Sequence, residues 1–227
     1  MDATEVPWQQ FLAKWPSQYR QDQHVTIIGP TGSGKTVLAK QLIQCRTYVV
    51  GLGVKPKDES MSPLIKQGWH RIEKWSSRPR SATRLLLWPK SVGVQSDRTM
   101  HKERFTELLE AVYKQGAWTL WTDELRYLTH HCRMLELFQQ LYVTGRSNKI
   151  SIMASAQRPA FVPLEAYSQA THLYLYRTGD ERDLARMGGL NGTNAKQVAA
   201  TVADLPAHTF LHLNMQTGQQ SISKVEL

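Results

Sequence analysis

Short apolar runs alternate with helix-like segments along most of the chain. The runs 24–28 (HVTII), 47–51 (TYVVG), 84–88 (RLLLW), 117–122 (AWTLWT), 150–155 (ISIMAS) and 172–176 (HLYLY) read as strands. The patterns over 35–44, 101–115, 133–143, 163–169, 181–187 and 194–203 read as helices. That alternation predicts an α/β fold, a mostly parallel sheet flanked by crossover helices. The tail 208–227 alternates apolar and polar residues around QTGQ and predicts a closing β-hairpin. No repeat, low-complexity tract or linker interrupts the pattern. All 227 residues are therefore expected in a single domain, with a core over about 24–178 and a C-terminal helix and hairpin over about 194–227.

Composition narrows the picture. With 41% hydrophobic and 21% charged residues, this is the make-up of an ordinary soluble globular protein. No stretch approaches the roughly 18 apolar residues of a membrane span, so no membrane association is expected. The N-terminus mixes acids, Pro and Trp, unlike a signal or transit peptide. Cys45 and Cys132 form no C-x-x-C pair and are expected as reduced thiols in a cytoplasmic protein. The formal charge of +9 points to a polyanionic partner, or serves only solubility. The excess is uneven: residues 71–104 carry nine Lys/Arg against three acids, a net of +6, with Trp69, Trp75 and Trp88 in or beside the segment. It is either a solvated basic face over core aromatics or a nucleic-acid contact.

One stretch carries specific chemistry. GPTGSGKT, Gly29 to Thr36, fits G-x-x-x-x-G-K-[ST] at every defined position, between a predicted strand and a predicted helix. Gly29 permits a sharp exit from the strand, and Gly32 and Gly34 let backbone N–H groups close on phosphate oxygens. Pro30, Thr31 and Ser33 complete the cradle. Lys35 can reach the β- and γ-phosphates, the Thr36 hydroxyl can ligate Mg²⁺, and the helix start adds its positive dipole.

Kinases, GTPases and motors all share this loop, so the residues downstream must discriminate. AWTLWTDE ends a strand on adjacent acids. Asp123 is suited to the Mg²⁺ shell, and Glu124 to taking a proton from an attacking water. Gln157 ends the next strand, where it can orient that water or sense the γ-phosphate. Arg146 follows Gly145 at the end of a helix; it either caps that helix or projects into a neighbouring subunit's site as an arginine finger. Arg158, next to Gln157, is the alternative finger.

The Gly-rich loop, the strand ending in Asp-Glu and TGRSNKISIMASAQRP resemble the FtsK/HerA group of DNA-pumping ATPases over about 24–178. YVVGLGVKPKDES is similar to the second strand of that group, which commonly carries an Asp and then a Lys. Here Gly51 and Gly53 occupy the stretch of the Asp, and Lys55, Lys57 and Asp58 remain. The resemblance implies a RecA-like (ASCE) P-loop NTPase that hydrolyses ATP with Mg²⁺. A short core of this kind is most similar to viral and phage genome-packaging ATPases. That likeness implies a homo-oligomeric ring that moves double-stranded DNA without reading its sequence. It also implies a capsid or portal partner, in the host cytoplasm and transiently at a capsid vertex.

Two other readings stay open. A phosphotransferase acting on a small acceptor explains the loop but neither Glu124 beside Asp123 nor the positive charge. A regulatory nucleotide-binding module without turnover explains the loop alone.

Overall fold

A computed structural model describes residues 3–188 and 195–226. In chain order the strands are β1 (Thr4–Glu5), β2 (His24–Ile28), β3 (Val49–Leu52), β4 (His70–Ile72), β5 (Arg84–Leu87), β6 (Thr119–Thr122), β7 (Ser151–Ala156), β8 (Ala170–Tyr176), β9 (Thr209–Asn214) and β10 (Gln220–Lys224). The α-helices are α1 (Trp8–Gln18), α2 (Lys35–Leu42), α3 (Ser62–Lys66), α4 (Val94–Gln115), α5 (Leu135–Thr144), α6 (Leu164–Ser168), α7 (Glu181–Gly188) and α8 (Ala195–Asp204). Residue 194, where the last helix was expected to begin, lies outside the described residues.

Among the described residues the ten strands form one sheet in the order β1-β10-β9-β8-β2-β7-β6-β3-β5-β4. From β8 to β4 every pairing is parallel. The expected C-terminal hairpin is present as β9 and β10, and β9 pairs antiparallel with β8, so the hairpin extends the sheet.

The central strands are buried on both faces, which is why they read as continuous apolar runs. Their alternation divides two cores. In β2, Val25 and Ile27 join one core with Trp8, Phe11 and Trp15 of α1 and Leu38 and Leu42 of α2. Ile28 joins the other with Phe105, Leu109 and Val112 of α4 and Phe138 and Leu141 of α5. α1 itself follows from spacing: positions 8, 11 and 15 share a helical face, and the Trp15 indole N–H donates to the Leu42 carbonyl at 2.9 Å.

α4 starts at Val94, seven residues before the expected position. Asp97 explains the extension. Its carboxylate accepts from the Val92 and Gly93 N–H groups and the Ser91 hydroxyl, closing the helix start from within the first turn. Those bonds, the Ser91 hydroxyl foremost, hold its carboxyl below the usual aspartate value.

Candidate functional site

Because β2, β3, β6, β7 and β8 run parallel, their C-terminal ends share one sheet edge, where ligands of open α/β sheets bind. β7 lies between β2 and β6. The loop after β2 and the acids after β6 therefore flank the end of β7, which carries Gln157. The Gly29 N–H donates to Ala156 O at 3.1 Å and carries the β2–β7 pairing one step into the loop.

The loop geometry explains its glycines. A Cβ on Gly29 would stand 2.5 Å from Cβ of Tyr176. Gly34, with φ of 100°, begins α2 in the left-handed region and gives it no side-chain cap. The first N–H groups of α2 thus remain open to an acceptor. Ser33 Oγ is buried without a hydrogen-bond partner. Lys35 Nζ folds back onto Pro30 O at 2.7 Å. Burial pushes the Lys35 ammonium below its ordinary pKa, against the pull of Asp123 and Glu124. Uncapped N–H groups, an orphaned hydroxyl and a partly desolvated cation together fit an anion such as a phosphate.

Across β7, Ser155 Oγ donates to Asp123 Oδ1 at 3.0 Å. Burial pushes the Asp123 carboxyl up, while hydrogen bonds from Thr36 and Ser155 work against that rise. Thr36 and Asp123, the expected metal ligands, are thus brought together. Among the described residues no group of three or more His, Cys, Asp or Glu could hold a metal alone. A Mg²⁺ here would complete its shell with phosphate oxygens and water, as this ion usually does. Glu124 and Gln157 line one pocket of about 270 Å³, with Ser155, Tyr127 and His131. The Glu124 N–H donates to Thr122 Oγ1 at 3.2 Å, fixing the turn that presents the acid.

Other expected residues stand elsewhere. Arg146 lies in the turn 145–148 ahead of β7, at the strand-N-terminal edge, where its charge acts on His24 at the start of β2. The phosphate loop is at the opposite edge, so Arg146 cannot reach its own subunit's loop. Arg158 is held in its own chain by Asp180 and Asp183 at the start of α7. Asp58 is spent on a turn, accepting from the Ser60 and Met61 N–H groups. Gly53 faces the Trp88 ring, which a Cβ would approach to 2.6 Å; this leaves no room for an acid there.

The basic segment also resolves into separate roles. Trp69, Trp75 and Trp88 are buried, so they are core aromatics and offer no free stacking face. Arg84 is tied to the Gln44 side chain and to the carbonyls of Gln44 and Arg46. A broad cleft of about 1320 Å³ at the β4 edge gathers His70, Arg71, Lys74, Lys90 and Arg104, with Glu73 as its acid. The cations lie within the basic segment singled out in the sequence, but sequence reasoning missed β4, which carried no apolar signal. It also missed Ser155, a small polar residue inside a strand, and the pairing of Lys55 with Glu124.

The fold is similar to those of solved genome packaging NTPases and of VirB4. No protein-family model matches the chain. It is 23% identical over 196 residues to the DNA packaging ATPase P9 of Enterobacteria phage PRD1, covering 84% of this chain and 80% of that protein. The sulfate complex of the genome packaging NTPase B204 from Sulfolobus turreted icosahedral virus 2 superposes with a TM-score of 0.69 at 18% identity, covering 92% of this chain and 99% of that one. B204 has also been solved with AMPPCP. VirB4 of Thermoanaerobacter pseudethanolicus gives a TM-score of 0.67 at 10% identity, over 90% of this chain and 89% of that one.

Proposed function

We propose that this chain is an ATP-hydrolysing genome-packaging motor that translocates double-stranded DNA as a homo-oligomeric ring. The observation that carries the reading is the meeting of the uncapped loop Gly29–Thr36 with Asp123, Glu124 and Gln157 around the end of β7. The relationship to P9, named a DNA packaging ATPase, supports the packaging role.

Each residue has a role in this account. Gly32, Gly34 and the first N–H groups of α2 bind the phosphates, and Lys35 leaves Pro30 O to neutralise them. Thr36 and Asp123 would hold Mg²⁺, which neutralises phosphate charge when bound. Gln157 orients the water, Glu124 takes its proton, and Arg146 reaches the neighbouring subunit's γ-phosphate. The cleft at the β4 edge tracks a phosphate backbone and carries no sequence readout. The assembled ring would dock on a capsid or portal protein. No described helix is long and apolar enough to cross a membrane.

The test is the ATPase rate with and without long duplex DNA, together with the mass of the assembly. Stimulation by duplex in an oligomer supports the motor. A phosphorylated small acceptor, or a monomer indifferent to DNA, would overturn it.

A further inference from the structure

Gln157 is exposed just after β7, so its placement falls to the chain that follows it. That chain is tied down at three points. Arg158 Nε donates to Asp183 Oδ2 at 3.1 Å, and its Nη2 donates to Asp180 Oδ2. The Tyr167 hydroxyl donates to Pro159 O at 2.9 Å, and Arg186 Nη2 to Val162 O at 2.9 Å. The pair with Asp183 is uneven. The Asp183 side chain is 3% exposed, whereas that of Arg158 is 45% exposed. Burying a carboxylate is costly without a partner, and Arg158 is the cation that Asp183 pairs with. Asp180 fixes Asp183 in turn: its Oδ1 accepts from the Arg182 and Asp183 N–H groups at the start of α7.

We propose that Arg158 is a positioning residue: anchored on the buried Asp183, it holds the backbone beside Gln157 so that the amide meets the attacking water. This rests on the reading of Gln157 as the residue that orients that water. Gln157 and Arg158 both line the pocket of about 270 Å³ that holds Glu124. An exposed side chain on an unanchored strand end samples many placements, and misplacing such a group by about 1 Å costs about 100-fold in rate. The brace works within one subunit, which separates it from a trans-acting arginine. A finger must leave Asp183 to act, whereas the brace acts only while that contact holds.

The experiment compares wild type, Arg158→Ala, Asp183→Asn, the double variant and Gln157→Ala in the full chain. It reads kcat, ATP affinity and amide hydrogen exchange over residues 157–162. Arg158→Ala and Asp183→Asn each lower kcat by about 10–100-fold, leave ATP affinity unchanged and speed exchange at Phe161 and Val162. Those two N–H groups bond Arg158 O and Pro159 O. The double variant, which leaves no unpaired buried carboxylate, does no better than either single one. Wild-type kcat in Asp183→Asn, recovery of kcat in the double variant, or unchanged exchange overturns the brace. Wild-type kcat in Gln157→Ala instead overturns the role given to Gln157, and exchange still reads the brace.

Discussion

Ser155 Oγ lies 3.0 Å from Asp123 Oδ1, so the strand between the Gly29–Thr36 loop and the acids supplies a hydroxyl that aims the carboxylate proposed to hold Mg²⁺. Such outer partners commonly cost 10–100-fold in metal affinity when lost. Ser155→Ala is expected to weaken Mg²⁺-dependent nucleotide binding by about 10-fold. Mg²⁺ titration of a fluorescent ATP analogue checks this. Unchanged Mg²⁺ dependence would show that Asp123 needs no support from β7.

Lys35 and Glu124 should fail differently. Lys35→Ala removes the main cation for the phosphates, so ATP affinity or turnover is lost with the fold intact. Glu124→Gln keeps size and Mg²⁺ binding but removes the base, so ATP binds and persists. Equilibrium binding beside single-turnover hydrolysis separates the two. Wild-type hydrolysis in a folded Lys35→Ala protein contradicts the loop assignment.

Arg146 is expected to act across a subunit boundary. A trans-acting guanidinium is worth on the order of a thousandfold in rate. Arg146→Ala should bind ATP nearly normally and hydrolyse it poorly. Mixing Arg146→Ala with Glu124→Gln subunits creates some interfaces with an intact Glu124 and an intact Arg146, and activity should partly return. If mixed assemblies form and stay inactive, Arg146 does not act in trans.

Two buried histidines, His24 and His172, are expected to make the fold less stable in acid. His24 Nδ1 accepts from the Ile152 N–H at 3.0 Å, and its Nε2 lies 3.2 Å from Tyr142 O, so the neutral ring uses both nitrogens. Burial lowers the pKa of His24 from 6.5 to about 4, and that of His172 likewise. A depressed histidine pKa means the unfolded chain binds more protons between these values. The stability is complete above about 6.5 and is lost as pH falls toward about 4. Each ring contributes roughly 3 kcal/mol at most. Urea midpoints should fall steadily across this window. A flat profile would contradict it.

The sheet was legible because its central strands are buried on both faces and stay largely apolar, with only a few polar residues such as Thr26 and Ser155 among them. The loop was legible because phosphate binding fixes its residues by spacing. α1 escaped because Pro16 lies inside it and its signal is carried by Trp8, Phe11 and Trp15. β4 escaped because two of its three residues, His70 and Arg71, are exposed at a sheet edge. The Lys55–Glu124 pair joins positions that only the β3–β6 pairing brings together. Arg84 counts among the nine cations of residues 71–104, and only the fold shows it spent on carbonyls.

ATP hydrolysis at this site is proposed to drive movement along duplex DNA. Displacement of a fluorescent third strand from a long duplex measures that movement directly. Wild-type protein with ATP should strip the third strand, more slowly as the duplex leading to it lengthens, and Glu124→Gln should not strip it at all. Intact triplex in the presence of vigorous DNA-stimulated hydrolysis would contradict the account.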